Sequence, residues 1–427
     1  MKALAADSAS ARTARLNRTY PWVVLGISFM TVAAAFGCRA AFALFFVAVI
    51  EEFQWSRGLA AGALALGSVA WTVSAPAWGH MLDRLGPRVV FPAGAALMAA
   101  GFAVSAMTQA VWHYYLGMGL LVGLGFAALP MTSQATVITN WFVRKRGMAM
   151  GLAASGIGVG IFLVVPATEW LIVALGWRNA YLVLAGVMLA AVVPLNLLFQ
   201  RRRPQDMGLL PDFGVTTAAE SGGPRRALEG GMTLAEALRN YRFWALAGGF
   251  VFGAIPVHMV LVHQVAAMVD AGLSREFGAW VLGLTGFFTT FSMIGMGTLS
   301  DRIGSERAYT IGSLALVGGI VVLLNLDGMS EILVLSLYPP LFAVGFGSRQ
   351  GLYPTIAADI FHGRHFGSII GFLAFSIGMG AGVGPWLAGY LHDLSGSYAS
   401  SGWIGIVLCV LSLACIWIVA PSRGADA

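Results

Sequence analysis

Charge is scarce in this chain. Of 427 residues only 10% are Asp, Glu, Lys or Arg, while 58% are hydrophobic. Soluble domains carry about 25% charged and about 45–50% apolar residues. With a mean hydropathy of +0.80, that deficit excludes an ordinary soluble enzyme, a disordered chain and a nucleic-acid binder. Cysteine is nearly missing as well. Cys38, Cys409 and Cys415 all sit inside apolar runs, which fits small buried hydrophobes and neither a disulfide framework nor a metal site. No Gly-x4-Gly-Lys-Ser/Thr loop is present to carry ATP-driven chemistry. The glycines of Gly156-Ile-Gly158-Val-Gly160 lie within an apolar run and read as helix packing rather than a nucleotide fingerprint. Long polar stretches are lacking too: the longest, Arg201 to Tyr241, is too short for the soluble output domain of a membrane sensor. The expectation is a polytopic membrane protein that is not an enzyme, with no cofactor and no metal.

What is present is a series of long apolar runs. A bilayer core of about 30 Å needs about 20 apolar residues per helix. Runs free of charge extend from Tyr20 to Cys38 (continuing past Arg39 to Ile50), Gly58 to Leu82, Val89 to Val143, Gly147 to Thr168, and Asn179 to Gln200. After a polar gap come Phe243–Val269, Phe277–Ser300, Ala308–Leu326, Ile332–Ser348, His365–His392 and Leu394–Ser422. Val89 to Val143 is too long for one helix and divides at Gln109 to Tyr115, an interfacial belt of Gln, Trp, His and two Tyr. The spacing predicts an all-α membrane protein of twelve transmembrane helices in two six-helix, pseudo-symmetric halves. Residues 1–20 form a tail, 21–200 the first bundle, 201–241 a linker, 242–420 the second bundle and 421–427 a final tail. Inside the linker, Thr233-Leu-Ala-Glu236 fits a capping box that opens a short amphipathic helix.

The basic residues orient these spans. With the N-terminus cytoplasmic and loops assigned alternately, 20 of the 25 Lys and Arg fall on the inner side, three outside (Arg57, Arg178, Arg275) and two within spans. Such an asymmetry is a positive-inside signal. It predicts a multi-pass protein of the cell inner membrane with both termini cytoplasmic.

The halves share landmarks. Gly79-His-Met-Leu-Asp83-Arg84-Leu-Gly86-Pro-Arg88 follows the second span, and Gly297-Thr-Leu-Ser-Asp301-Arg302-Ile-Gly304-Ser-Glu-Arg307 follows the eighth, with Asp83 and Asp301 218 residues apart. Trp141 to Gly147 corresponds in the same way to Phe361 to Gly367, the two glycines being 220 apart. Two landmarks at nearly one offset indicate a duplicated six-helix unit, the architecture of many secondary transporters. The Gly-x3-Asp-Arg-x-Gly-x-Arg loop, present twice, resembles the signature of the major facilitator superfamily. In the second copy one residue is inserted before Arg307. The resemblance implies a gating role for Gly79, Asp83, Arg84, Gly86 and Arg88, and for Asp301, Arg302 and Gly304. Phe53-Gln-Trp55-Ser56-Arg57, the stretch Phe142–Gly151 and His263–Gly272 further resemble the monocarboxylate-porter and oxalate/formate-antiporter branches, which move small organic acids. Those branches would place an arginine in the eighth span, and Gly278 to Leu299 holds no charge.

Ionisable residues within spans are costly and normally face a cavity or a partner. Arg39 in the first span and Arg349 in the tenth have no acid within one helical turn in sequence. A pair of unpaired arginines in a wet cavity makes a receptor for a carboxylate. The alternative is that each bonds backbone carbonyls or an acid on another helix, such as Glu169 or Asp359. Gln350, Tyr353 and Gln134 are candidates for neutral hydrogen bonds. His263, His258 and Glu169 are candidates for proton coupling, with His263 also a candidate for substrate contact. The expected function is a secondary active transporter of a small mono- or dicarboxylate, working by alternating access as a proton symporter or anion exchanger. Its partners would be the organic anion, protons or a counter-anion, and the lipid bilayer; a single chain suffices. The rival within the same fold is a proton-coupled exporter of drugs or lipophilic compounds.

Overall fold

The computed structural model describes residues 2–142, 145–209, 232–361 and 366–420, without the side chains of 2–15 and 366–368. Most of the linker, the final tail, Arg144 and Arg364 lie outside the described residues. Twelve helices are long and apolar enough to cross a membrane. In the first half they are α1 (Leu16–Phe53), α2 (Arg57–Leu85), α3 (Pro87–Ala106), α4 (Val111–Trp141), α5 (Arg146–Leu175) and α6 (Trp177–Phe199). In the second they are α7 (Tyr241–Asp270), α8 (Arg275–Ile303), α9 (Ser305–Leu324), α10 (Glu331–Ile360), α11 (Ile369–Ser395) and α12 (Ala399–Val419). The run from Val89 to Val143 is two helices, parted at 107–110. A short helix at Leu234–Arg239 precedes α7, and its capping box closes at both ends: Thr233 Oγ1 accepts from Glu236 N at 3.3 Å and Glu236 Oε2 from Thr233 N at 2.8 Å. Because α6 ends and α7 begins at the linker, one face of the bundle is the linker face and the opposite one the far face.

Two helices of the first half are interrupted. α1 breaks at Ala41, just after Arg39. α4 stops being helical over residues 127–130, where Pro130 has no amide proton to continue the ladder. The Leu124 carbonyl, near this break, accepts from Trp78 Nε1 at 2.9 Å, as a broken helix in lipid requires. Phe36 of α1 and Phe126 of α4 pack edge to face at 5.0 Å.

The glycine run of α5 has a steric purpose. A Cβ on Gly156 would stand 2.7 Å from the Phe29 carbonyl of α1, and one on Gly160 would collide with Ala33 of the same helix. Gly158 faces the other way. A Cβ there would collide with the Gly286 carbonyl of α8. Only hydrogen side chains let α5 lie between α1 and α8 at this separation.

The cores show where the halves join. Buried residues of α1–α6 form one cluster that takes in Val262, Val265 and Ala266 of α7 and Ala279 and Leu282 of α8. These five lie towards the far face. Nearer the linker face, the second half has its own buried cluster, including Phe243, Phe250, Met296 and Leu373, which contains no buried first-half residue among those described. The halves are therefore packed together at the far face and stand apart towards the linker face.

Candidate functional site

Between the halves, on the linker-face side of the middle, lies a cavity of about 250 Å3. α7 lends it Ala254, Val257 and His258, α10 Arg349, Gln350 and Tyr353, and the first half Trp71 and Thr132. The structure thus brings Arg349, Gln350, Tyr353 and His258 of the sequence candidates to one place. Arg349 is only 3% exposed. Its Nη1 donates to the Gly345 carbonyl of its own helix at 2.7 Å, its Nη2 to Ser313 Oγ at 3.1 Å, and its guanidinium lies 5.0 Å from the Tyr309 ring centre. Nε is buried without a partner, as is the Tyr353 hydroxyl. His258 Nδ1 lies 2.9 Å from the Ala254 carbonyl. A carbonyl only accepts, so Nδ1 carries the proton and Nε2 is left as the acceptor of the neutral ring.

Arg39 stands to one side of this cavity. It donates to Ser68 Oγ at 3.2 Å, and its guanidinium lies over the rings of Trp71 and Phe126, at 5.4 and 4.6 Å. Trp71 is thus shared: it holds Arg39 and also lines the cavity. Among the described residues no carboxylate comes within 4.0 Å of Arg39 or Arg349. The acids weighed as their partners are engaged elsewhere. Glu169 takes Arg275, and Asp359 accepts from Ser305 Oγ at 2.9 Å.

Three further candidates lie away from the cavity wall. Gln134 is fully buried in α4 and neither end of its amide finds a partner. Glu169, 3% exposed, accepts from Arg275 Nε at 2.7 Å and leaves Oε2 unpartnered. His263 sits at the far face, bonded on both sides. Its Nε2 is 2.8 Å from the Pro385 carbonyl and its Nδ1 2.8 Å from the Tyr398 hydroxyl. The carbonyl can only accept, so Nε2 donates and Nδ1 accepts from Tyr398. Burial raises the pKa of the Tyr398 hydroxyl above its ordinary value, against the pull of the Arg57 guanidinium, so it stays a neutral donor.

Tyr398 belongs to a latch that joins the halves at the far face. Arg57, first residue of α2, makes a two-pronged pair with Asp270 at the end of α7, at 2.6 and 2.7 Å, and donates to Tyr398 at 2.6 Å. His392 adds a 3.4 Å contact to the same aspartate. Asp393 of α11 accepts from the amides of Arg57 and Gly58 at 2.8 Å each, so a second-half carboxylate caps a first-half helix. The second latch is Arg275, first residue of α8, which reaches Glu169 and, at 3.4 Å, Glu51 at the end of α1. Arg57 and Arg275 are 218 residues apart, as are the serine caps Ser56 and Ser274. That is the offset of the duplicated loops, so the two latches are copies of one device. In the sequence, Arg275 counts only as an outer loop charge, and Arg57 as one that also closes the Phe53–Arg57 stretch. The signal that singles them out is position: each follows a cap serine at a duplicated site.

At the linker face the duplicated loops turn alike. Gly86 has φ of 79° and Gly304 of 96°, a region that favours glycine. Asp83 receives Arg202 through both its carbonyl and its carboxylate, the latter at 3.3 Å, so its partner is the arginine beyond α6 and not a neighbouring helix end. Arg88 donates to the carbonyls of Leu197 and Leu198 at 2.7 and 3.2 Å, tying α3 to α6. Gly79, Arg84, Asp301 and Arg302 are exposed. Trp71 and Thr132 had no mark as site residues in the sequence. Trp71 lies at the middle of its span, away from the interfacial belt where tryptophan is usual, and that depth was the available sign.

Comparison with known proteins agrees with this architecture. The chain matches the family model of the Major Facilitator Superfamily over residues 27–355 and 257–427. It is similar to monocarboxylate transporter 11 of Homo sapiens, 28% identical over 410 residues covering 94% of this chain and 83% of that protein. Monocarboxylate transporter 13 of Rattus norvegicus is 26% identical over 398 residues, 90% of this chain and 87% of that one. Among solved structures, a bacterial homolog of the human lysosomal transporter Spinster, inward-facing and occupied, superposes with a TM-score of 0.70 at 15% identity, over 94% of this chain and 97% of that one. Twelve membrane-length helices, a duplicated loop and latch, and a family model spanning nearly the whole chain place this protein, as a transporter, in the Major Facilitator Superfamily.

Proposed function

We propose that the chain carries a small organic anion, held by its carboxylate, through alternating access of one central cavity to the two faces of a cell's inner membrane. The observation that carries this reading is Arg349: a buried, permanently charged side chain in the cavity wall with no carboxylate near it among the described residues. A lone arginine at the centre of a span costs about 3 kcal/mol on insertion scales. A substrate carboxylate meeting its unpartnered Nε would offset that cost. The relatives named monocarboxylate transporters support the same substrate class.

In this reading Gln350 and Tyr353 add neutral hydrogen bonds. Arg39 keeps Trp71 in place and contributes positive potential. His258 is the coupling group, since a proton on Nε2 would create a second cation beside the anion. Each ligand then strengthens binding of the other, as linkage demands. The state described here is open towards the linker face, which the basic residues assign to the cytoplasm. The Arg57 and Arg275 latches hold the far face shut, and the Asp83 and Asp301 loops would close the opposite side in the other state. His263 and Glu169 act within the far-face latch and not on the substrate.

The test is uptake of labelled carboxylate into proteoliposomes. Arg349→Gln should lose about 10- to 100-fold in transport efficiency, the worth of a charged hydrogen bond of about 1.5–3 kcal/mol. Arg39→Gln should lose less. Full activity in both variants overturns the assignment. The apolar cavity wall favours a second reading, an exporter of uncharged lipophilic compounds, for which Arg349→Gln would leave transport intact.

A further inference from the structure

The cavity is lopsided, and that bears on which carboxylates it can take. Its ionisable groups, Arg349 and His258, lie on α10 and α7, with Gln350 and Tyr353 beside them on α10; the first half adds a single polar side chain, Thr132. Most of the remaining wall is apolar: Val257, Phe346, Ile370, Ala374 and Ile377 from the second half, faced by Trp71 from the first. The other cation within a span, Arg39, is not among the lining residues. It is held by Ser68 and covered by the Trp71 and Phe126 rings. The Trp71 ring is itself braced, packed edge to face on Phe126 at 5.5 Å.

From this asymmetry we infer that the substrate is a monocarboxylate with a bulky apolar body, aromatic or branched, and that Trp71 is the residue that selects the body. This rests on the carboxylate reading above and makes it narrower. One end of the ligand meets the Arg349 guanidinium. The other is buried against Trp71 and the aliphatic wall, which takes its apolar surface out of water. The space suffices: an engineered apolar cavity of about 150 Å3 takes up benzene, and this one measures about 250 Å3. A dicarboxylate fits badly. With Arg349 and His258 both turned to the first carboxylate, its second charge would be buried against apolar side chains, which is costly. A very short carboxylate satisfies Arg349 and leaves the wall unfilled.

The experiment is competition against uptake of radiolabelled 3-phenylpropanoate in proteoliposomes of the full chain, using propanoate, succinate, 3-phenylpropanoate and 3-phenylpropanamide as competitors. The expected order is 3-phenylpropanoate at least 10-fold tighter than propanoate, with succinate weakest. Trp71→Ala should reduce the gap between 3-phenylpropanoate and propanoate by about 10-fold, and Trp71→Phe should restore most of the gap. Succinate or propanoate matching 3-phenylpropanoate overturns the inference while leaving the carboxylate reading in place. So does an equal loss for all carboxylates in Trp71→Ala, because Trp71 is then a structural residue only. If the amide competes as well as the acid, the carboxylate reading itself fails.

Discussion

At the scale of single residues, the argument turns on two arginines and a histidine. Arg349 is buried and has no carboxylate partner among the described residues, a placement that costs the substrate-free protein stability. Arg349→Met should therefore raise the apparent melting temperature of the purified protein by a few degrees while abolishing carboxylate uptake. A structural arginine would show the reverse, a fall in stability, and a thermal melt in detergent distinguishes the two. In the proposed mechanism His258 is the coupling group. With Nδ1 committed to Ala254, a proton would add at Nε2 and place a positive donor beside the anion. Bound anion would raise the affinity of that site for its proton, so uptake should be greatest at low pH and fall as pH rises. His258→Gln should flatten the profile, and a profile unchanged by that substitution would assign coupling to another group. The sequence already named Arg39, Arg349, His258 and His263. It could not rank them, because five residues on a helix turn a side chain by about 140°, and only the neighbouring helices decide which histidine meets the cavity.

At the scale of elements, the duplicated latch explains why the far face is shut. Arg57 on α2 and Arg275 on α8 both reach carboxylates of the opposite half. The Arg57–Asp270 and Arg275–Glu51 pairs are partly exposed and individually worth little, about 0–1 kcal/mol, yet they act together with the buried Glu169 carboxylate and the two amides held by Asp393. Arg57→Ala combined with Arg275→Ala should shift the population towards far-face opening. A cysteine placed at Val47, which lines a far-face pocket together with Arg57, Asp270 and Asp393, should then react faster with an impermeant maleimide in the double variant than in either single one. Equal labelling in all three proteins would show that the apolar contacts of α7 and α8 alone keep this face closed. Much at this scale was legible beforehand. The twelve spans, the capping box at Thr233 and the packing role of the α5 glycines follow from hydropathy, cap chemistry and residue size; the division of the long run, expected at Gln109 to Tyr115, falls slightly earlier, at 107–110. The latch was not, because it joins residues such as Arg57 and Asp270 across 213 positions, and local pattern carries no information on such pairs. The breaks at Ala41 and at 127–130 were also hidden, apart from Pro130.

At the scale of the whole molecule, the scarcity of charge has a clear distribution. The sequence assigns twenty of 25 basic residues to the linker side, acids and arginines join the halves at the far face, and Arg39 and Arg349 lie within spans. The halves share a core at the far face and separate below it, so the described state presents its cavity towards the linker face. The central claim is that Arg349 binds the carboxylate of the transported molecule there. The most direct measurement is calorimetric titration of the purified full chain in lipid nanodiscs with 3-phenylpropanoate and, separately, with 3-phenylpropanamide, for the native sequence and for Arg349→Gln. The account predicts saturable binding of the acid to the native protein, little binding of the amide, and loss of acid binding by at least 10-fold in Arg349→Gln. Equal affinity for acid and amide, or acid binding that survives Arg349→Gln, would contradict it.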